Sequence, residues 1–180
     1  MKPVKKLCKV LAAICIVLIS QYAHSQNLST DIKVQAMDMG SAFIKNDFAT
    51  FSKYMHPAII TFAGGKEKMK AVMDSAYAAM KMFGVTFKRY WIGSPSEIIH
   101  YKDQLQAILP VSTVMKTPLG EVYAETSMLV ISEDKGKNWY FVDTNVYKAD
   151  KIKNVLPDIS PQLVIPPMKK PKLVPNKSED

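Results

Sequence analysis

The chain has 180 residues, a formal net charge of +8 and two cysteines. Half of that charge comes from Lys2, Lys5, Lys6 and Lys9, and both cysteines, Cys8 and Cys15, lie in the same opening stretch. The remainder is nearly balanced in charge and cysteine-free, so it offers neither a disulfide nor a thiolate metal site, and its scattered lysines do not form the clustered stripe that nucleic acid requires.

The opening residues have the order of a secretory signal peptide. A basic leader is followed by the uncharged apolar stretch Val10 to Ser20, and Ala23-His24-Ser25 places small residues where a signal peptidase cuts. The apolar run is well short of the roughly 20 residues that span a bilayer. Ile14 before Cys15 does not suit lipid attachment. Residues 1–25 are therefore expected to be removed, giving an exported, periplasmic or extracellular protein that keeps no membrane segment. About 155 residues remain, enough for one domain with one hydrophobic core.

Ser29, Thr30 and Asp31 offer helix N-caps before Ile32, Ala36, Met39 and Phe43, which recur at helical spacing. Asn46-Asp47 interrupts this helix, and Phe48, Phe51 and Met55 continue on a short second one. His56-Pro57 ends it, because a residue before proline resists the helical region. Ala58 to Ala63 reads as a short apolar strand. After Gly64-Gly65, the residues Met69, Val72, Met73, Ala76, Met80 and Phe83 make one apolar stripe of a third helix that stops at Gly84. Val85 to Ile92 then alternates, with Val85, Phe87, Arg89 and Trp91 on one side and Thr86, Lys88, Tyr90 and Ile92 on the other. Strands are expected at Glu97 to Tyr101, Gln104 to Lys116, Glu121 to Ser132 and Asn138 to Tyr147, joined by short turns, with Pro110 marking a bulge or an edge. Helices first and an antiparallel meander afterwards make the fold α+β, with one face of the sheet covered by the helices.

Six of the eleven prolines fall in 151–180 together with Lys169, Lys170, Lys172 and Lys177. That composition predicts an extended C-terminal arm over 150–180 in which Leu163, Val164 and Ile165 pack along the domain. Its basic run MKKPK is either solvated or a contact for an acidic partner.

The order of elements resembles the nuclear transport factor 2-like superfamily, which includes the SnoaL-like and ketosteroid isomerase-like proteins. The features that carry the resemblance are a first helix broken at KNDFATFSKYMHP, the helix GGKEKMKAVMDSAYAAM after a glycine turn, and a closing tryptophan strand, KNWYFVDTN. They span roughly 30–147, so residues 26–149 are expected to form the domain. The resemblance implies a curved sheet wrapped against three N-terminal helices into a cone with an apolar pocket, and a homodimer formed through the outer face of the sheet. It does not choose between enzyme, ligand binder and assembly domain.

Alternation along KNWYFVDTN puts Trp139, Phe141, Asp143 and Asn145 on one face. A pocket contact set of Tyr90, Trp91, Trp139, Phe141 and Asp143 follows, in which aromatic rings supply area and Asp143 orients a small apolar or amphipathic ligand. If the protein is an enzyme of isomerase, dehydratase or cyclase type, Asp143 is the expected general base, with His56 or a tyrosine as its partner. The tyrosine and second acid that the isomerases pair with it have no counterpart at matching places. A structural alternative leaves Asp143 hydrogen-bonded at a strand end, and His56 and His100 as capping or surface groups. A third alternative is an assembly domain that binds a protein partner. Two isolated histidines make no metal site, no serine or threonine sits in a glycine elbow, and Gly64-Gly65 lacks the lysine-serine ending of a phosphate loop. No cofactor is expected. The methionines of the helices read as core that also adapts to irregular ligands.

Overall fold

The computed structural model describes residues 27–146 and 149–176. The expected signal peptide lies outside the described residues. Helix α1 covers 27–44 and stops where Asn46 takes a positive φ of 55°. Asp47 then caps α2 (Phe48–Phe51) by accepting a hydrogen bond from Thr50 N, so the break expected at Asn46-Asp47 is made by a carboxylate cap. A single 3-10 turn, Ser52–Tyr54, follows.

Residues expected to form a strand from Ala58 form α3 (Pro57–Phe62) instead. Pro57 sits at the first helical position, where its missing N–H costs nothing, and His56 Nδ1 caps the helix by accepting from Ala58 N at 3.1 Å. The His-Pro step therefore ends one helix and starts the next. With α4 (Lys66–Met82), four α-helices and not three precede the first strand among the described residues. The apolar stripe of α4 is only partly covered. Met73 is buried, whereas Val72, Met82 and Phe83 are exposed. The Tyr77 hydroxyl donates to the Phe43 carbonyl and ties α4 to the end of α1.

The sheet is antiparallel and open. It comprises β1 (Thr86–Ile92), β2 (Ile99–Tyr101), β3 (Gln104–Thr117), β4 (Gly120–Ser132), β5 (Tyr140–Asp143) and β6 (Lys172–Pro175). The long β3–β4 hairpin is its centre: β1 and β2 share the free edge of β3, and β5 and β6 share the free edge of β4. The last strand of the meander is shorter than expected because the chain turns at Thr144, whose N–H and hydroxyl both donate to Ser127 O.

Both faces of the β3–β5 region are buried, one more than the sequence suggested. On one face Leu28, Ile32, Ala36 and Met39 of α1 pack on Leu105, Leu109, Val130, Trp139 and Phe141. On the other, Ile108, Leu129, Ile131 and Val142 meet Ile59 of α3 together with Ile152, Leu156 and Ile159. Ile152 belongs to α5 (Ala149–Val155), a helix where an extended arm was expected. Leu163 and Ile165 pack against this second cluster as anticipated, whereas Val164 points to solvent. The chain then reaches β6, which pairs with Gly120–Tyr123 along the half of the β4 edge that β5 leaves open.

Candidate functional site

The α1-facing side of the sheet changes character along its length. At the end near Leu105 and Trp139 it is filled by α1. Towards Thr113, Met115, Ala124 and Thr126 it opens into a cavity of about 530 Å³, walled on the other side by Met39, Gly40 and Phe43 of α1, Phe51, Met55, Ile59 and Met69. Register accounts for this shared face: Thr126 pairs with Val111, Ala124 with Thr113, Val122 with Met115, and Met128 with Asp143. Val72 and Val146, 65% and 69% exposed, line the cavity where it meets solvent.

Strand β1 contributes two aromatic rings to the cavity because of an irregularity. Phe87 pairs with Met115 and Arg89 with Val114, so Lys88 is an extra residue in the register. Regular alternation would put Phe87 and Tyr90, three residues apart, on opposite faces. The bulge puts both on the cavity face, opposite Met115 and Thr113. Gly40 makes room for Tyr90, since a Cβ at position 40 would sit 2.1 Å from Tyr90 Cε1.

Polar groups are few and concentrated at one part of the wall. Asp143 Oδ1 accepts hydrogen bonds from Thr126 Oγ1 at 3.1 Å and from Asn145 N at 2.7 Å. Asp143 and Asn145 therefore end the strand and line the cavity at once. The Tyr90 hydroxyl is buried without a hydrogen-bond partner. Burial, reinforced by the Asp143 carboxylate, pushes its pKa up to about 12. None of the described lining residues is a lysine, arginine or histidine.

The structure thus brings together Tyr90, Phe141 and Asp143, and leaves the tryptophans elsewhere. Trp139, 1% exposed, fills the closed end of the core, and its backbone N–H donates to Gln35 Oε1 at 2.9 Å. Trp91 follows the bulge onto the opposite, exposed side of β1, with the Arg89 guanidinium 6.0 Å from its ring centroid. His56 lines a separate cavity of about 160 Å³ beside Glu133, whose Oε1 is 3.5 Å from His56 Nε2. Burial lowers its pKa, and the Glu133 carboxylate draws it back up. His100 is exposed on β2. Among the described residues no group of three His, Cys, Asp or Glu side chains is placed to hold a metal ion.

Sequence reasoning missed Phe87, Met55, Met115 and Met128 as lining residues. Phe87 and Met115 depend on the bulge and on cross-strand register, and neither leaves a mark in the alternation of Val85 to Ile92. Comparison of the chain with protein-family models, with curated proteins and with solved structures finds no match.

Proposed function

We propose that the protein binds a small apolar or amphipathic ligand in the cavity between α1, α4 and the sheet, without catalysis. The observation that carries this is a cavity of about 530 Å³ whose wall is built from methionine, phenylalanine and valine side chains, with one cluster of polar groups at Tyr90, Thr126 and Asp143. Sites for small molecules have this size and make-up, an apolar body with a few placed polar atoms. Methionine, unbranched and polarizable, adapts to an irregular ligand surface. Four helices followed by an antiparallel sheet that encloses a cavity support a nuclear transport factor 2-like cone. The basic and apolar opening of the chain supports export before the site is used.

A saturable titration with Nile red, a neutral apolar dye, tests the reading. One dye per chain is expected in wild type, with affinity reduced about tenfold or more in Ala124→Phe, where a ring enters the cavity, and unchanged in Trp91→Ala on the opposite face. Dye binding that is absent, or that survives Ala124→Phe in a protein with native circular dichroism, contradicts it.

One observation favours the enzymatic alternative. The unpaired Tyr90 hydroxyl and the Asp143 carboxylate lie on the same wall, an arrangement with a hydrogen-bond donor and a base. An isomerase, dehydratase or cyclase reaction would use Asp143 as base and Tyr90, not the distant His56, as partner. Turnover of any carbonyl-bearing probe that Asp143→Asn abolishes at unchanged melting temperature would establish it.

A further inference from the structure

We infer that the ligand of this cavity is a hydrophobic amine, whose protonated nitrogen is held at Asp143 while its apolar body lies between the helices and the sheet. The inference rests on the ligand-binding reading and names the ligand's class. Its basis is a charge imbalance. Asp143 is the single carboxylate among the described lining residues, and no lysine, arginine or histidine among them opposes it. Both of its hydrogen bonds arrive at Oδ1, from Thr126 and Asn145, so Oδ2 receives none from the described residues. Two donors on one oxygen orient the carboxylate and leave the other oxygen as an acceptor for whatever enters.

An anion in an apolar wall favours a ligand that brings the missing positive charge and disfavours one that brings a second negative charge. A fatty-acid carboxylate would meet Asp143 with repulsion and find no cation. A neutral alcohol would donate one hydrogen bond to the carboxylate and leave its charge unopposed. An ammonium group would donate a bond in which both partners are charged and would neutralise the anion in the apolar wall. Among the described residues, the cations beside the site line other clefts: Lys169 lines one that shares Val111, Thr126 and Asn145 with the cavity, where it pairs with Glu125. Lys45, Lys88 and Arg89 line a groove of about 290 Å³ on the far side of Tyr90. There Lys88 pairs with Glu121, and Arg89 lies over Trp91. The leader lysines supply half of the net charge of +8 and residues 26–180 keep the other half, +4, so long-range attraction weakly favours anions, and a preference for cations has to come from the site itself.

The test uses three ligands with one apolar tail: dodecylamine, dodecanol and dodecanoate, each below its micelle concentration at neutral pH, displacing Nile red from the intact protein. The expected order is amine, then alcohol, then carboxylate, with the amine at least about tenfold tighter than the alcohol. In Asp143→Asn, whose amide oxygen still accepts from Thr126 and Asn145, the amine and alcohol should bind within about threefold of each other. Equal binding of amine and alcohol to wild type, tighter binding of the carboxylate, or an amine preference that persists in Asp143→Asn overturns the inference and leaves the ligand-binding reading standing. Failure of all three ligands to displace the dye, or failure of the dye itself to bind, overturns the reading as well.

Discussion

The ring of Tyr90 occupies the space that a side chain at position 40 would need. With a Cβ on Gly40 only 2.1 Å from Tyr90 Cε1 and 2.3 Å from Cζ, the two positions cannot both carry their present backbone and a larger residue at 40. Helix α1 therefore accepts a glycine in its interior, at a propensity cost of about 1 kcal/mol, and the ring reaches the cavity wall with its hydroxyl buried.

Gly40→Ala tests that contact. Helix propensity alone would make alanine stabilising, but overpacking against a ring costs about 1–3 kcal/mol. The expected net result is a loss of about 1 kcal/mol in urea denaturation together with weaker Nile red binding. A gain in stability with unchanged dye binding would show that Tyr90 moves aside freely.

Removing the Tyr90 hydroxyl should have the opposite effect on the ligand-free protein. A buried donor without a partner costs about 1–3 kcal/mol, so Tyr90→Phe is expected to be neutral or stabilising by up to about 1 kcal/mol at neutral pH. The alkaline limb carries a second signature. The folded-state pKa, raised to about 12, stands above the ordinary tyrosine value of 10.0. The folded state thus holds this proton more tightly than the unfolded chain, and the stability it contributes is complete below pH 10 and lost as the pH climbs towards 12. Wild type should lose on the order of 2 kcal/mol more than Tyr90→Phe across that window. Identical alkaline profiles would place the hydroxyl in contact with water.

His56 governs the acid side of neutrality. Its Nδ1 must be unprotonated to cap α3, and burial lowers its pKa from 6.5 in spite of Glu133. A depressed histidine pKa means that the folded state prefers the neutral form. Its contribution is present above pH 6.5 and lost as pH falls through the folded-state value. Wild type should weaken on acidification from pH 7.5 to 5. His56→Asn, which can still cap, should show a flatter profile, and His56→Ala should lose about 1 kcal/mol at neutral pH with the cap. Parallel acid profiles for wild type and His56→Asn would remove this histidine from the account.

The C-terminal segment divides at the second core cluster. Ile152 is fully buried, with Leu156 and Ile159 beside it. Ile152→Ala is expected to cost about 2–5 kcal/mol. Truncation after residue 165 should cost far less, since Lys172–Pro175 contributes a four-residue exposed strand and Lys169 an exposed ion pair with Glu125. Equal losses from the two changes would mean that β6 is as integral to the fold as α5.

Much of the fold was legible because its signals are local. The Asp47 cap, the glycines before and after α4 and the polar corners of the hairpins each act over a few residues. The helix α3 was not legible. Ile59, Ile60 and Thr61 are β-branched in a six-residue apolar run, and such runs are ambiguous between strand and helix; Pro57, the His56 cap and burial of Ile59 decided the outcome. For α5 a signal existed, since Ile152, Val155 and Leu156 recur at helical spacing before Pro157, but the surrounding prolines and lysines obscured it. In the site, Phe141 and Asp143 came from alternation along their strand, whereas Tyr90 reaches the cavity face beside Phe87 through the bulge at Lys88, which the alternation of Val85 to Ile92 does not show. Trp139 shares a face with Phe141 and Asp143 but sits at the filled end of the core. Distance along a strand, and not the face alone, decides what a ligand can touch.

Whether the cavity holds a ligand is decided by a native mass spectrum of the protein purified without detergent from its own cells, recorded before and after adding dodecylamine. An adduct of one small molecule per chain, lost on denaturation and absent from Ala124→Phe, is expected. Bare-chain mass for wild type in both spectra would contradict ligand binding in the cavity.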